Sequence, residues 1–268
     1  MQRNSLIGAA LIAASLCLPV LAHAEDQPAK PDYALHTKLL DASVTVDASL
    51  KKFPGLYENL LAEGKRQAAK WQAGAEKDKK EYPEIFRDNR RQEYERGYSE
   101  RSVVADRYVS IVRGDYVDGG GAHPNHFTDT ILWDAKAKKR ISIRPFFKET
   151  ADDGPTLNAL AKAIRAALAV EKKARDIEVA DPDTDHDLSA VKPKLLDIGA
   201  LALAPSTAQG KSSGLLAHFS PYAVGPYVEG SYTVFVPWGS FQAYLSPEGI
   251  AIFGGERPKD DEKRDENG

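Results

Sequence analysis

Cysteine is almost missing from this chain of 268 residues, which contains a single one, Cys17. Because Cys17 lies in the N-terminal apolar segment, the rest of the chain has no thiol for a disulfide, a thiolate metal site or a nucleophile. The fold must therefore depend on its hydrophobic core. Leu16 stands where lipid attachment to Cys17 would require a small residue, which disfavours a lipid anchor and leaves it an open alternative.

Long hydrophobic runs are also missing, apart from residues 6–21, which follow Arg3 and precede the small residues of "LAHA". This order is typical of a secretory signal peptide over residues 1–24 and predicts cleavage after Ala24. A membrane span needs about 20 apolar residues. We therefore expect a periplasmic or secreted protein without a transmembrane segment in the mature chain.

An excess of positive charge is absent as well. Removal of the signal peptide takes one base, Arg3, from the 36 Lys and Arg residues and none of the 39 Asp and Glu residues. The small negative balance that remains argues against nucleic acid as a partner. No motif places a nucleophile beside a base in a context that supports catalysis, so we expect a non-enzymatic protein with no cofactor.

What the sequence does contain is a succession of apolar patterns with periods of 2 and 3.6 residues. Strand patterns fall in "YALHTKLLDASVTVDASL", around Tyr94 to Tyr116, around Phe127 to Ile143, and in three segments between Lys194 and Trp238. We interpret the first as one opening strand, with Leu35, Leu39, Val44 and Val46 pointing inward. Amphipathic helix patterns run from Pro54 to about Lys80 and from about Pro155 to Arg175.

This order predicts an α+β fold, with a mostly antiparallel sheet and two main helices packed on it. Connections of hairpin length argue against a βαβ dinucleotide-binding fold. We expect an N-terminal α+β module over residues 25–150, a C-terminal α+β module over 151–254 packed against it, and a disordered charged tail over 255–268.

Four pieces of the chain, in this order, resemble one known family. They are the helix from Pro54, the run "YVDGGGAH" with "FTDTILWDAKAKKRISIRPFF", the helix from Pro155, and "GLLAHFSPYAVGPYVEGSYTVFVPW". Residues 33–254 resemble the extracytoplasmic region of the RsiV-like lysozyme-binding anti-sigma factors, which a peptidoglycan deacetylase shares in its non-catalytic N-terminal part. The resemblance implies an α+β fold and a binding role, with a lysozyme-like muramidase or peptidoglycan as the partner. It implies neither sigma-factor regulation nor deacetylation.

Two turns carry the candidate ligand-binding residues. "YVDGGGAHPN" combines glycines, which permit close backbone approach, with a histidine, and "SPYAVGPYVEG" combines stiffening prolines with tyrosines suited to a protein or glycan surface. The ligand-binding residues that we expect are Tyr116, Gly119, Gly120, Gly121, His123, Asn125, Tyr222, Pro226 and Tyr227. This surface forms only if the two turns meet at one end of the sheet.

Two alternatives remain open at this point. A metal-assisted hydrolase of envelope polymers would use His123 and His126, but Pro124 between them argues against a helix, and in an extended segment the two side chains point to opposite faces. Neither histidine has a third ligand at a characteristic spacing, so we expect no metal. The other alternative is a purely structural envelope protein, in which both turns only complete the sheet.

Overall fold

The computed structural model describes residues 30–261. The predicted signal peptide, its cleavage after Ala24, Cys17 and the last seven residues of the predicted tail lie outside these described residues. Within residues 30–261, no helix combines the length and the apolar character that crossing a membrane requires.

A six-stranded sheet forms the larger part of the structure. Its strands are β1 (Tyr33–His36), β2 (Leu40–Val46), β3 (Gln92–Val104), β4 (Tyr108–Asp118), β5 (Asn125–Asp134) and β6 (Lys139–Ile141), which lie side by side in chain order. All neighbours are antiparallel except β2 and β3, which are parallel and joined through the helix α1 (Leu56–Glu81). The predicted α+β class with a mostly antiparallel sheet is therefore confirmed, although one βαβ connection interrupts the hairpins.

The predicted single opening strand is wrong, because this segment folds back on itself as β1 and β2. Thr37 makes the turn, where its hydroxyl accepts hydrogen bonds from the backbone N–H groups of Leu39 and Leu40. The inward positions change from odd-numbered residues in β1 to even-numbered residues in β2. Leu35 lies on the edge strand β1 and is partly buried, whereas Val44 and Val46 are buried.

α1 packs closely on one face of the six-stranded sheet because small residues line its inner side. It begins after Gly55, whose φ is 82° and whose N–H donates to the Glu58 carboxylate at 2.7 Å. Gly64 lies against Val44, and a Cβ at Gly64 would come within 2.5 Å of a Val44 methyl carbon. Any side chain larger than hydrogen at Gly64 would therefore push the helix away from the sheet.

The second half of the chain forms a separate three-stranded antiparallel sheet and two further helices. These elements are α2 (Pro155–Ala174), β7 (Ala200–Leu203), β8 (Gly214–Phe219), β9 (Tyr232–Pro237) and α3 (Pro247–Ile252), of which α3 has no counterpart in the sequence prediction. β7 rests on the face of the six-stranded sheet that α1 leaves uncovered, where Ser102 and Thr130 hydroxyls donate to the carbonyls of Leu203 and Leu201 at 2.6 and 2.8 Å.

One hydrophobic cluster joins the two halves of the chain. Tyr108 and Leu132 of the six-stranded sheet belong to the same buried cluster as Leu160 of α2, Phe219 of β8 and Val234 of β9. This core crosses residue 150, where the sequence suggested a module boundary, and the division into two modules stays a prediction.

The predicted disordered tail contains ordered residues at its start. Asp261 accepts hydrogen bonds from Arg257 at 2.6 Å and from the buried Arg101 of β3 at 2.8 Å, and the side chains of Arg257 and Asp261 are 9% and 8% exposed. Burial and these two guanidinium groups act in opposite directions on the pKa of Asp261, and the net effect lowers it. The prediction is therefore wrong for residues 257–261, because a charged segment can be fixed when its charges pair with buried partners.

Candidate functional site

The two turns singled out in the sequence meet in the structure. The rings of His123 and Tyr227 stack with their centroids 4.0 Å apart and an interplanar angle of 28°. Tyr222 completes the group, with its ring 5.3 Å from that of Tyr227 and 6.5 Å from that of His123. We call this cluster of His123, Tyr222 and Tyr227 the aromatic edge.

Hydrogen bonds fix the aromatic edge through a single backbone carbonyl. The carbonyl oxygen of Pro124 accepts from the Tyr227 hydroxyl at 2.7 Å and lies 2.9 Å from Nδ1 of His123. Because a carbonyl can only accept, Nδ1 of His123 carries a proton in this contact, and in the neutral imidazole Nε2 is then the acceptor. The Tyr222 hydroxyl lies 3.5 Å from Nε2, so the imidazole connects both tyrosines.

The glycine turn owes its shape to contacts at its start. Gly120 has a φ of 87°, which disfavours any residue with a side chain, and a Cβ there would also lie 3.1 Å from Ile85. Its N–H donates to the Asp118 carboxylate at 2.8 Å, and the carbonyl of Gly119 accepts from the Gln92 side chain at 3.2 Å. By contrast, Gly121 is exposed, and a Cβ there would meet nothing within 4 Å.

The second turn has an exposed tip on a fixed base. Tyr222 is 62% exposed and has a φ of 71°, a left-handed conformation that is uncommon for tyrosine. Pro226 precedes a short 3-10 turn over Tyr227–Glu229. Ser220, at the start of the turn, accepts from the N–H of Thr128 in β5 at 2.8 Å, and this bond ties the turn to the six-stranded sheet.

A buried ion pair anchors the second turn to α2. Nζ of Lys172, whose side chain is 2% exposed, donates to the Glu229 carboxylate at 2.6 Å, and the Tyr232 hydroxyl donates to the same oxygen at 2.6 Å. Arg175 lies over the Tyr232 ring at 4.1 Å and donates to the carbonyls of Glu229 and Ser231. The position of Tyr227, two residues before Glu229, therefore depends on α2.

This anchor was missed in the sequence, although a signal was present. Lys172 lies on the buried face of α2, four residues after the buried Leu168. A lysine at that spacing in an apolar stripe indicates a buried partner, because an unpaired ammonium group cannot be buried at low cost. Its partner, Glu229, lies two residues after Tyr227.

The two remaining expected residues lie where β4 and β5 adjoin the glycine turn. Asn125 is the first residue of β5 and pairs with Val117. Tyr116 of β4 stands opposite His126, and their rings meet edge to face at 5.2 Å. Desolvation and then the nearby carboxylates of Glu93, Asp118 and Glu95 raise the pKa of Tyr116, so its hydroxyl stays protonated at neutral pH.

Within residues 30–261 there is no cluster of metal ligands, and the serine of the one Gly-x-Ser-x-Gly run is buried. Within residues 30–261, no group of three or more His, Cys, Asp or Glu side chains is arranged to hold a metal ion. The run from Gly210 to Gly214 has the spacing of a Gly-x-Ser-x-Gly nucleophile motif. However, its central Ser212 is fully buried and donates its hydroxyl to backbone carbonyls. A residue bound in this way cannot present a nucleophile to a substrate.

Comparison with known proteins identifies one domain. Residues 146–239 match the family model described as a protein of unknown function, DUF3298. This stretch is therefore a DUF3298 domain, and it contains α2, the three-stranded sheet and the second turn. It does not contain the glycine turn. No curated protein matches the chain.

Two solved structures of DUF3298 proteins are similar to this one. BF2082 from Bacteroides fragilis NCTC 9343 has 15% sequence identity and a TM-score of 0.50, over 79% of this chain and 86% of that chain. PA4972 from Pseudomonas aeruginosa PAO1 has 15% identity and a TM-score of 0.48, over 80% and 87% of the two chains. At this identity, the likeness to BF2082 concerns the fold alone.

Proposed function

We propose that this chain, which carries a DUF3298 domain over residues 146–239, is an exported, non-enzymatic binding protein of the bacterial cell envelope. The aromatic edge is its binding surface, and a lysozyme-like muramidase is its partner. The observation that carries the proposal is the meeting of two distant segments, around His123 and Tyr227, in one stacked and partly exposed group.

The construction of the aromatic edge supports recognition of a protein. Tyrosine offers a large contact area with few rotatable bonds, so little conformational entropy is lost on binding. Here Tyr227 is already fixed by its hydrogen bond to Pro124 and by the stack on His123, which lowers that cost further. Tyr222 projects beyond them and would enter a pocket of the partner.

The proposed partner comes from the sequence resemblance to the RsiV-like family. A matched pair of variants tests it in a pull-down with immobilised lysozyme. We expect the intact protein to be retained and Tyr227→Ala to bind at least about ten-fold more weakly, since loss of a central aromatic contact costs about 2 kcal/mol or more. Tyr82→Ala removes another tyrosine, which is 54% exposed on a different segment, and should be retained like the intact protein.

The peptidoglycan alternative is tested with the same three proteins in a second assay. In this assay the proteins are sedimented with insoluble peptidoglycan in place of the lysozyme pull-down. If the intact protein ignores lysozyme but sediments with peptidoglycan in a manner that depends on Tyr227, the edge binds the polymer and the muramidase proposal is wrong. If neither material retains the intact protein, the edge has no role in binding either of them.

A further inference from the structure

A groove of about 1260 Å³ separates the six-stranded sheet from β8, β9 and the end of α2. The face of β3, β4 and β5 opposite α1 forms its floor, and Val170, Thr233 and Phe235 line the other side. Tyr116 and His126 also line it. His126 is the second residue of β5, so this end of the groove lies close in the chain to the glycine turn.

The floor of this groove is bare at its centre. Gly97 of β3 stands opposite Gly114 of β4, and Thr128 of β5 stands on the other side of Gly114. A Cβ at either glycine would meet no atom within 4 Å, and neither glycine has a positive φ. The packing and the backbone conformation of the protein therefore do not require glycine at these two positions.

Glycine inside a strand weakens the strand, so two of them facing each other call for a reason outside the chain's own packing. Glycine in a strand often marks a place where a ligand approaches the backbone closely. The groove above Gly97 and Gly114 provides the space for one.

The chemistry of the groove distinguishes between classes of ligand. β3 and β4 are interior strands, each paired on both sides, so their main-chain groups cannot bind an added peptide strand. The groove instead offers aromatic rings and side-chain hydroxyl groups, contributed by Tyr116, Phe235, Ser99, Thr128 and Ser231. Pyranose sugars match this combination, since a sugar ring has apolar C–H faces and a rim of hydroxyl groups.

The charges of the groove disfavour an anionic ligand. Glu171 and Arg175 pair with each other at 2.9 Å, and Glu100 pairs with Lys52 at 3.1 Å. Within residues 30–261, the lining carboxylate of Glu95 has no ion pair. A carboxylate in this situation can accept hydrogen bonds from the hydroxyl groups of a neutral sugar.

We infer that this groove binds a neutral glycan strand, which lies across Gly97 and Gly114 and runs toward Tyr116. The site is additional to the proposed muramidase surface, and the two can be tested separately. The glycan strand would contact the floor through its ring faces, and its hydroxyl groups would bond to Glu95 and Thr128.

The inference is tested by placing a larger side chain at Gly114 in the floor of the groove. Binding of chitohexaose, a neutral oligomer of six β-linked N-acetylglucosamine units, is measured by titration calorimetry, and Tm is measured in parallel. We expect the intact protein to bind, Gly114→Val to bind at least ten-fold more weakly, and the Tm of Gly114→Val to be unchanged or higher. Glu95→Gln should bind several-fold more weakly, because an amide is a poorer acceptor than a carboxylate.

Gly239→Val is the matched control, because a Cβ at Gly239 also meets nothing within 4 Å and this residue does not line the groove. The inference is overturned if the intact protein does not bind chitohexaose, or if Gly114→Val binds it as well as Gly239→Val does. Retention of Gly114→Val on lysozyme, together with loss of sugar binding, would show that the two sites are independent. Loss of lysozyme binding in Tyr227→Ala, with sugar binding intact, would also show that the two sites are independent.

Discussion

The two faces of the β3–β4 pair differ sharply, although they share one backbone. Toward α1, Tyr94 and Tyr98 are buried, and between them Arg96 binds Asp115 at 2.5 and 2.6 Å. Toward the groove, the alternating residues of β3 are Glu95, Gly97 and Ser99, of which none is buried. Around Gly97 and Gly114, the buried side chains therefore lie on the helix face, whereas farther along the pair Tyr108 is buried on the opposite face against the second half of the chain.

The largest effect is expected from removing a ring on the helix face. Tyr98 is 1% exposed and packs among residues of α1, β2 and β4. Tyr98→Ala should lower the free energy of unfolding by about 3–5 kcal/mol, because it removes a buried aromatic ring and leaves a cavity. Urea unfolding followed by circular dichroism measures the change.

Ser99→Ala is the control for Tyr98→Ala on the opposite face of the same strand. It should change the free energy of unfolding by no more than about 0.5 kcal/mol, as is usual for exposed positions. A large loss in Ser99→Ala would show that the groove face also carries stability, and the comparison would fail.

A smaller effect is expected from breaking the anchor of the second turn. Lys172→Met keeps most of the side-chain volume but removes the donor to Glu229. It should cost about 1.5–3 kcal/mol, the range for a hydrogen bond to a charged group. The Tyr227 ring should also leave His123, which is checked by the loss of ring-current shifts on the His123 imidazole in proton NMR spectra.

Lys173→Met provides the matched control, because Lys173 is the exposed neighbour on the same helix. It should leave both the stability and the NMR shifts of His123 unchanged. If Lys172→Met preserved the stacked rings, the second turn would hold its position without α2, and our account of the anchor would be incorrect.

The patterns that sequence reasoning detected are the local ones. Alternation and helical periodicity predicted α1, α2 and the hairpins, because each depends on residues close together in the chain. The parallel pairing of β2 with β3 was not predicted, since residues 47–91 separate the two strands and nothing local shows that they pair. The turn at Thr37 was missed because a threonine turn has no glycine or proline to mark it.

In the candidate site, too, the sequence showed the local features and did not show the long-range contacts. The composition of the two turns identified His123 and Tyr227, but their contact depends on how the second sheet lies against the first. Gly97 and Gly114 lie 17 residues apart in unremarkable strands, so their pairing becomes visible only with the register of β3 and β4. Residues from both halves of the chain line this groove, so no single segment of the sequence could have indicated it.

Acid should weaken the helix face through Glu63. Burial would raise the pKa of Glu63 on α1, but its hydrogen bond to Arg140 and the charges of Arg140, Arg113 and Arg96 outweigh burial and hold the pKa below its ordinary 4.5. A carboxyl whose pKa is lower in the folded protein stabilises it above the ordinary pKa, and this contribution is lost as the pH falls through the folded value.

The free energy of unfolding should therefore fall below about pH 4.5 in the intact protein and fall less steeply in Glu63→Gln, which has no charge to lose. Each unit by which the pKa is lowered corresponds to about 1.4 kcal/mol. Urea unfolding at several pH values from 7 to 3 provides the measurement.

The smallest effect has the opposite sign and concerns the glycines of the groove floor. Gly97→Ala and Gly114→Ala should each raise the free energy of unfolding by up to about 1 kcal/mol, because alanine loses less backbone entropy on folding and the added Cβ has free space. Gly64→Ala is the contrast on α1, where the same methyl group would meet Val44 and should destabilise. If both alanine variants are more stable, the chain gives up stability to keep the floor of the groove open. If either variant is less stable, that glycine has a structural role, and the main reason for expecting a ligand there is removed.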